Sequence, residues 1–431
     1  MKKIVLLTIF FFSVMAGAQN VLTINNAIDM AMKKNFDIKV MRSQADISKI
    51  NNTPGNAGML PTVGLNGSGS VGYNNVHQKL SSGTVNNYSS QLATSVGAGV
   101  EMSWTLFDGG RMYATKNKLA QLQALGELQF NEQVLQTIYN VVAAYYDIVC
   151  QKQQLETILK VIGYNKQRVL IARTGFNAGT LAKTELLQAN IDLNVAKEDS
   201  ISQQYAISET KKNLNFLLGQ DISTPIEVSE SIPASAVPDK NDMLLKIESS
   251  NASLLALQKQ IDVSKLVIKE AERWYRPTFN LQGGYSIALS HYSQGGTKYN
   301  RTFGPEIGGT LSIPLYTAGE SKRKIAVART EQLIAQYNLD NTRLQITKEL
   351  LSAYDDFENQ QKMLQIERDN NRMASENMEI CLQRLRLGQT TSLEVHQAQE
   401  SFAQSSARLI NFEYNLKIKE TKLKQLVSDL N

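Results

Sequence analysis

A glycine-rich hexapeptide, GSGSVG, spans Gly67 to Gly72 and matches the G-x-G-x-x-G pattern of dinucleotide-binding sites. In such sites the glycines follow a buried strand and open a helix, whose N-terminus holds the pyrophosphate. Here the preceding residues alternate between apolar and polar, and a polar stretch without helical periodicity follows. The sequence therefore argues against a nucleotide site, and the glycines need another explanation.

Other residues that could carry chemistry are few and poorly spaced. The chain has no H-E-x-x-H, C-x-x-C or G-x-S-x-G pattern. The adjacent Asp355 and Asp356 would not face each other on a helix. Cys150 and Cys381 are consistent with a disulfide or, as we expect, with two buried thiols. We therefore expect neither an enzyme nor a metal or cofactor site, and the three histidines are isolated: His77, His291 and His396.

The N-terminus indicates export. Two lysines precede an apolar run from Ile4 to Met15, and the small residues AGA follow at 16–18. This order is typical of a secretory signal peptide that is cleaved after Ala18. The formal net charge of +5 is too small to indicate a nucleic-acid partner.

The sequence contains one unit written twice. The segment SWTLFDGG, Ser103 to Gly110, resembles SIPLYTAG, Ser312 to Gly319, at an offset of 209 residues that also relates Glu185 to Glu394. Each half has a lead-in helix, two strands and a long helical hairpin, and the segment between them holds three of the eight prolines. The predicted divisions are a signal peptide, a first repeat, a linker and a second repeat: 1–18, 19–218, 219–242 and 243–431.

Strands with period-two alternation explain the glycines. From Ser95 to Phe107 and from Thr278 to Ser290, apolar residues alternate with glycine and small polar residues. Strands of this length cross a membrane, with apolar side chains toward lipid and small polar ones toward water. The glycines of GSGSVG are thus predicted to permit bending of a barrel strand. A soluble sandwich with one wet face remains the alternative.

Aromatic residues cluster at one end of these strands. Because consecutive strands reverse direction, this end is one rim of the sheet, where an aromatic belt belongs. Four strands cannot close a barrel, and an open edge is not tolerated in lipid, so several chains must share one barrel. The strand count alone allows two, three or four chains. The predicted belt is Trp104, Phe107, Trp274, Tyr275 and Tyr316.

The rest of the chain is predicted to be helical, giving a mostly α fold with a β-barrel portion. Proline-free segments run from Arg111 to Gly175 and from Glu320 to Leu387. About 65 residues of helix extend roughly 100 Å. Apolar residues spaced by three and four indicate coiled-coil packing. Each segment ends at a glycine-bearing turn and returns as a second helix.

These features, in order and duplicated, resemble the TolC-like outer-membrane efflux and secretion channels over nearly the whole chain after residue 18. The resemblance rests on the lead-in LTINNAIDMAMKK, the paired LPTVGL and RPTFNL, the paired SWTLFDGG and SIPLYTAG, and the two glycine turns. It implies a homotrimer with a twelve-stranded barrel in the outer membrane and a helical tunnel across the periplasm. It also implies a passive exit duct that docks a periplasmic adaptor protein and an inner-membrane pump, for efflux or type I secretion.

The resemblance also assigns a periplasmic gate. Acidic residues shortly after each tip glycine line the constriction in this family, and Glu185 and Glu394 match those positions. The next acidic position of the family corresponds to Gln188 and Gln397, so this chain keeps one carboxylate per tip. A carboxylate ring attracts cations, and we expect a weaker cation preference here. The alternative is that both glutamates lie on a solvated helix start, where acids are favourable.

Adaptor contacts and a tip lock are further implications of the resemblance. Basic and tyrosine residues lock the second tip in the family, whereas this chain has Leu385 and Thr390 at those positions. Arg384 and Arg386 lie nearby and are candidates for the same role. The implied adaptor-contact residues are Gly179, Thr180, Leu181, Gly388, Gln389 and Thr390.

A second hypothesis is a non-conducting trimer with a coiled-coil stalk and a structural or adhesive role. The two hypotheses differ in the fate of the small polar strand faces. In a duct, a bulky residue at Gly97 or Gly284 reduces flux, whereas in a stalk it alters only stability.

Overall fold

The structure, a computed structural model, describes residues 21–229, 231–233 and 236–430. The predicted signal peptide lies outside these residues. In the part of the chain that is described, no helix is both long and apolar enough to cross a membrane. The elements in chain order are α1 Ile24–Lys34, α2 Phe36–Asn51, β1 Thr62–Lys79, β2 Val85–Phe107, α3 Arg111–Asn177, α4 Lys183–Leu218, α5 Lys240–Ser250, α6 Ala252–Arg273, β3 Thr278–Tyr292, β4 Tyr299–Ser312, α7 Glu320–Arg386 and α8 Ser392–Leu426.

The chain forms two compact units, and each unit combines segments from both halves of the sequence. The first unit includes residues up to Val40, then Glu132–Asn251 and the segment from Ile346 onward. The second unit includes Met41–Asn131 and Ala252–Gln345. The two sequence repeats are therefore not separate globular bodies, because strands and helices of one half pack against those of the other.

The second unit contains an antiparallel sheet in the order β1-β2-β3-β4. Pairing of β2 with β3 joins the two halves, and there the hydroxyls of Ser95 and Ser290 lie 2.9 Å apart. One register row runs through Gly64, Glu101, Gly284 and Glu306, so the predicted polar positions of all four strands share one face. The opposite face is apolar, as the alternation predicts.

The glycines of GSGSVG lie inside a regular ladder. The register of β1 with β2 is continuous from Thr62 to Asn74 and shifts only between Asn74 and Val76. No helix follows the hexapeptide, which confirms that it is not a nucleotide-binding turn. The glycines therefore belong to a strand, as expected, and their role in bending it stays a prediction.

The duplicated motif is the turn that converts a strand into a long helix. After β2, Gly109 and Gly110 both have positive φ, and the buried carboxylate of Asp108 accepts hydrogen bonds from the Met112 backbone N–H at 2.9 and 3.1 Å. This carboxylate satisfies an amide that the first turn of α3 leaves without a helical partner. Before α7, Ala318 and Gly319 have positive φ, so both repeats use the same left-handed reversal.

Each predicted lead-in helix is two helices, broken at an asparagine. The Asn35 side chain accepts from the N–H groups of Asp37 and Ile38 and donates to the Leu217 carbonyl at 2.8 Å. In the second half, Asn251 donates to the Leu426 carbonyl, also at 2.8 Å. Each asparagine thus breaks the lead-in helix and ties it to the end of the last helix of its own half.

The core of the first unit is built around α3. Val142, Tyr145 and Val149 are buried, which confirms the predicted packing stripe. The Tyr145 hydroxyl donates to the Leu22 carbonyl at 2.8 Å and accepts from the Ser229 N–H at 3.1 Å. Burial raises the pKa of Tyr145 above its usual value. Among the described linker residues, Val228 forms an isolated parallel bridge with Leu22.

The sheet distinguishes two glycines on its polar face. A Cβ at Gly284 would lie 2.6 Å from the Val100 carbonyl oxygen, whereas a Cβ at Gly308 meets nothing within 4 Å. We expect Gly284→Leu to destabilise the protein by about 1–3 kcal/mol, because the strand must shift, and Gly308→Leu to leave stability nearly unchanged. Thermal unfolding followed by circular dichroism tests this, and equal midpoints for both variants would contradict it. Gly308, not Gly284, is therefore the position at which bulk reports on flux alone.

Candidate functional site

The first helical hairpin ends in a compact glycine turn between α3 and α4. Gly179 has a φ of 72°, and the N–H groups of Thr180 and Leu181 both donate to the Gly175 carbonyl, at 2.8 and 3.2 Å. A left-handed residue at this position closes the helix, and glycine adopts it without a Cβ penalty. The turn therefore exposes Gly179, Thr180 and Leu181 at the end of the hairpin.

The second hairpin ends in the equivalent turn between α7 and α8. Gly388 has a φ of 68°, and the Gln389 N–H donates to the Arg384 carbonyl at 2.9 Å. The Thr391 hydroxyl caps α8 by accepting from the Glu394 N–H at 3.2 Å. Both tips thus place a glutamate in the first turn of the returning helix, as the repeat alignment predicts.

The two tip glutamates differ in their surroundings. The Glu394 carboxylate accepts a hydrogen bond from the Thr390 hydroxyl of its own turn. The Glu185 side chain makes no hydrogen bond or ion pair with any described residue. The side chain of Gln188 donates to Asp192 at 2.8 Å, while Gln397 is exposed. The roles of these four residues in a gate remain predictions.

A buried arginine connects the two hairpins close to their tips. Arg168 on α3 is 2% exposed and pairs with Asp192 on α4 at 2.9 Å. Its other terminal nitrogen donates to the Ser392 hydroxyl on α8 at 3.2 Å, and its first lies 3.5 Å from the Gln399 amide oxygen. We call Arg168, Asp192, Ser392 and Gln399 the arginine node.

Both terminal nitrogens of Arg168 have hydrogen-bond partners, whereas its buried Nε has none among the described residues. Asn165 supports the arginine node by accepting from Arg168 at 3.3 Å and donating to the Asp192 backbone carbonyl at 3.2 Å. A buried charge that loses its partner destabilises a protein by about 3–5 kcal/mol. Sequence reasoning missed Arg168, since nothing in its local pattern separates it from an exposed helical arginine.

Apolar packing surrounds the node on both sides. Buried Met378, Leu382, Val395 and Phe402 of the second hairpin pack with half-buried residues of α3, including Tyr164. The rings of Tyr164 and Phe402 meet edge to face at 5.8 Å between centroids. The tip of α8 is therefore held to the first hairpin by one polar cluster set in an apolar contact.

The arginines considered as substitutes for the family lock lie at the surface. Arg384 donates to the Gln389 carbonyl of its own turn at 3.0 Å. Arg386 donates to the side chain of Gln167 on α3. Of these two arginines, Arg386 is the one that connects the second tip to the first hairpin.

The strand ends present the predicted aromatic residues. Trp104 lies on the apolar face and donates through its indole N–H to the Met59 carbonyl at 2.9 Å. Trp274 and Tyr275, just before β3, are exposed, as are Phe107 and Tyr316. On the polar face, Glu101 and Glu306 border an open cavity of about 530 Å³. A membrane-facing role of the aromatic set stays a prediction.

No group of metal-ligating side chains occurs among residues 21–229, 231–233 and 236–430. Both cysteines are free and buried. Burial raises the pKa of the Cys150 thiol to about 12, with Asp147 contributing in the same direction. Cys150 is therefore a packing residue and not a nucleophile, because only the thiolate reacts.

Thiol labelling tests this assignment. Since the raised pKa keeps Cys150 protonated, we expect native protein to resist alkylation at pH 9, where an unfolded thiol reacts readily. Stability should fall as the pH rises above about 9, because only the unfolded thiol then loses its proton. A Cys150→Ala variant, which should lose this component of the pH dependence, is the control. Rapid labelling of Cys150 in the folded protein would contradict the assignment.

Comparison with known proteins adds the family. The model of the family described as outer membrane efflux protein matches residues 27–220 and 244–428. The chain is 23% identical over 333 residues to the outer membrane efflux protein BepC of Brucella suis, covering 74% of this chain and 69% of that protein. It is 20% identical over 352 residues to the outer membrane protein TolC of Escherichia coli, covering 78% and 69%. The solved Campylobacter jejuni CmeC outer membrane channel aligns with a TM-score of 0.80 at 16% identity, covering 94% of this chain and 85% of that one.

Proposed function

The chain belongs to the outer membrane efflux protein family, and we propose that three copies of it form the passive exit duct of a tripartite efflux or type I secretion system. It is a protein of the outer membrane whose helices extend into the periplasm. The observation that carries the proposal is the amphipathic sheet with two open edges, continuous through glycine turns with two 67-residue helices.

The open edges support a shared barrel. Strands β1 and β4 each pair on one side only within the described chain. Backbone groups without partners are costly in hydrocarbon, so β1 of one copy must pair with β4 of the next. Three copies supply twelve strands, which is enough to close a barrel with an aqueous interior. The apolar face is correspondingly bare, with Leu65 79% and Ile307 78% exposed.

Apolar stripes on the long helices support the homotrimer. A helix with a bare apolar stripe is stable only when a neighbour covers that stripe. On α7, Tyr337 and Leu344 are seven residues apart, and farther along Ile366, Met373 and Ile380 repeat the same interval, which is typical of coiled-coil contacts. We propose that a second copy covers both stripes. The exposed residues are Leu187, Ile191, Val195, Ile201 and Tyr205 on α4, and Tyr337, Leu344, Ile366, Met373 and Ile380 on α7.

We propose that the hairpin tips form the gate and the docking surface. Glu185 and Glu394, with Gln188 and Gln397, line the constriction in this proposal. The exposed turns around Gly179 and Gly388 contact a periplasmic adaptor protein, which couples the duct to an inner-membrane pump. The proposed adaptor-contact residues are Gly179, Thr180, Leu181, Gly388, Gln389 and Thr390.

We propose that the arginine node acts as a latch, that is, a contact between the two hairpins that must break before the gate opens. Opening by movement of the second hairpin must break the bonds from Arg168 to Ser392 and Gln399, whereas the pair with Asp192 stays within the first hairpin. The latch thus lies behind the constriction rather than in it. It takes the place of the tyrosine and basic residue of the family, whose positions hold Leu385 and Thr390 here.

A non-conducting stalk is the competing function. It explains the long helices but leaves the small polar face of the sheet, with Glu101 and Glu306, without a role. A duct requires that face to be wet. Single-channel recording of the purified trimer in a planar bilayer decides between the two functions. If the inserted protein passes no current, even in the variant without the latch, the duct is excluded.

Ion selectivity tests the gate residues. We expect the wild-type channel to prefer cations, and the Glu185→Gln, Glu394→Gln double variant to lose most of that preference, because six carboxylates leave the trimer's constriction. Reversal potentials in a salt gradient measure it. The control, Glu331→Gln with Glu376→Gln, removes two exposed carboxylates from α7 and should retain the preference. Unchanged selectivity in the tip variant would place the selective ring elsewhere, with Glu101 and Glu306 as the next candidates.

Conductance tests the latch. Ser392→Ala with Gln399→Leu removes the acceptors on α8 while leaving the Arg168–Asp192 pair intact, so we expect a higher resting conductance and more frequent opening. Ser406→Ala is the matched control, because Ser406 accepts from Asn371 at 2.7 Å within the second hairpin. A latch variant that folds as wild type and conducts no more than the control would refute the role.

A further inference from the structure

Four basic side chains gather around one tryptophan at the helix-side end of the sheet. The Lys324 ammonium lies 3.6 Å from the Trp274 ring centroid, and the Arg111 guanidinium lies 4.9 Å from it. Arg273 and Arg276 flank the same tryptophan in sequence. The quadrupole of an indole ring attracts cations that lie over its face. Trp274 therefore holds the charges of Arg111 and Lys324 close together at this end of the sheet. We call Arg111, Arg273, Arg276 and Lys324 the rim cations.

Backbone carbonyls fix the two arginines beside Trp274. Arg273 donates to the Gly110 carbonyl, and Arg276 donates to the Gly109 carbonyl at 3.3 Å, both in the turn between β2 and α3. A guanidinium carries five N–H donors, and each of these bonds occupies one nitrogen. Each guanidinium keeps its positive charge, because a neutral backbone carbonyl does not cancel it, and its other N–H groups remain available as donors.

The rim cations outnumber the carboxylates next to them. Arg111 pairs with Asp108 at 3.4 Å, and Lys324 pairs with Glu320 at 2.8 Å. Lys324 lowers the pKa of Glu320, which keeps that carboxylate ionised. The Asp108 carboxylate is buried and also caps α3, so it offers little charge to the surface. The nearby Glu270 and Glu272 pair with other cations, Lys118 and Arg329, so four rim cations against two carboxylates leave this end of the sheet positive.

The rim cations lie next to the aromatic residues at the end of the apolar sheet face. Trp104, on the apolar face, and the exposed Tyr275 lie at the same strand ends, and Trp274 itself is 44% exposed. Indole and phenol rings prefer the headgroup level of a membrane, where apolar and polar surroundings meet. Positive charge directly below an apolar belt therefore lies at the depth of lipid phosphates.

We propose that the rim cations bind the phosphate headgroups of anionic glycerophospholipids in the periplasmic leaflet of the outer membrane. The inference rests on the proposed function, which puts the apolar sheet face in lipid and the helices on the periplasmic side. Guanidinium groups match phosphate oxygens with paired donors, and the ammonium of Lys324 adds a point charge. This leaflet contacts the helix-side end of the sheet, so phospholipid rather than a lipid of the outer leaflet is the ligand.

The test compares phosphatidylglycerol with zwitterionic phosphatidylcholine, each titrated into detergent-solubilised full-length trimer while thermal unfolding is followed. For wild type we expect phosphatidylglycerol to raise the unfolding midpoint and phosphatidylcholine to leave it nearly unchanged. In the Arg111→Gln, Arg276→Gln, Lys324→Gln variant, the apparent affinity for phosphatidylglycerol should fall by about tenfold or more, as expected when basic residues leave an anionic membrane surface. High salt should produce a similar loss in wild type.

Two further variants control for misfolding and for the loss of net charge. Lys324→Gln alone retains the arginine contacts with the turn, and it should lose part of the affinity even if the triple variant folds poorly. Lys348→Gln, Lys362→Gln and Arg372→Gln remove the same charge from other exposed positions on α7, and this control should titrate as wild type.

Three results would overturn the proposal. The first is that both lipids raise the unfolding midpoint of wild type equally, and the second is that the α7 control loses as much affinity as the rim variant. The third is that soluble inorganic pyrophosphate stabilises wild type as much as phosphatidylglycerol does, which would assign the cluster to a free anion. Bilayer conductance of the same preparations is recorded separately. A conducting channel without lipid preference refutes the lipid site alone, whereas a lipid-binding protein that never conducts refutes the duct alone.

Discussion

The pairing of backbone hydrogen bonds across strands is the constraint on which the rest of this structure depends. The β2–β3 ladder joins the two halves of the chain, and it leaves β1 and β4 each with one row of unpaired N–H and C=O groups. In lipid those rows have no alternative partner but another copy of the same strands. The closed barrel and the assembly of several chains that we propose both follow from that sheet being only four strands wide.

The same constraint explains how the strands pass into helices. A chain leaving a membrane strand must satisfy the first amides of the next helix at once, and Asp108 does so for α3 while Gly109 and Gly110 reverse the backbone. Arginines at the end of α6 then bind the carbonyls of this turn. The charges that fix the turn are the charges we assign to lipid phosphates, so one cluster both shapes the junction and presents it to the membrane.

Farther along the hairpins, apolar contacts and buried ion pairs hold the helices together; besides the Arg168 node, the buried carboxylates of Glu367 and Glu420 are also ion-paired. Tip residues such as Glu185 and Gln397 are exposed and weakly tethered, which suits surfaces that meet other copies and partners. The Arg168 node is the opposite, because its arginine on α3 is buried and bonds to two other helices, α4 and α8. In the gate that we propose, the exposed glutamates form the ring that attracts ions, and the buried Arg168 node is the contact that breaks on opening.

The sequence by itself determined the repeat, the alternating strands, the two glycine tips and the long helices, because each of these is written in local periodicity or in a constant offset. It also placed the polar and apolar faces correctly, since a period of two leaves no other arrangement once the strands pair. Only the tertiary structure decided the helix breaks at Asn35 and Asn251, the arginine node and the rim cations. Their partners lie far away in sequence, 182 residues for Asn35 and 224 residues for Arg168 with Ser392. The sequence around a polar residue whose partner is so far along the chain does not differ from the sequence around an exposed one. Only the packing of the folded chain shows that its side chain is shielded from water.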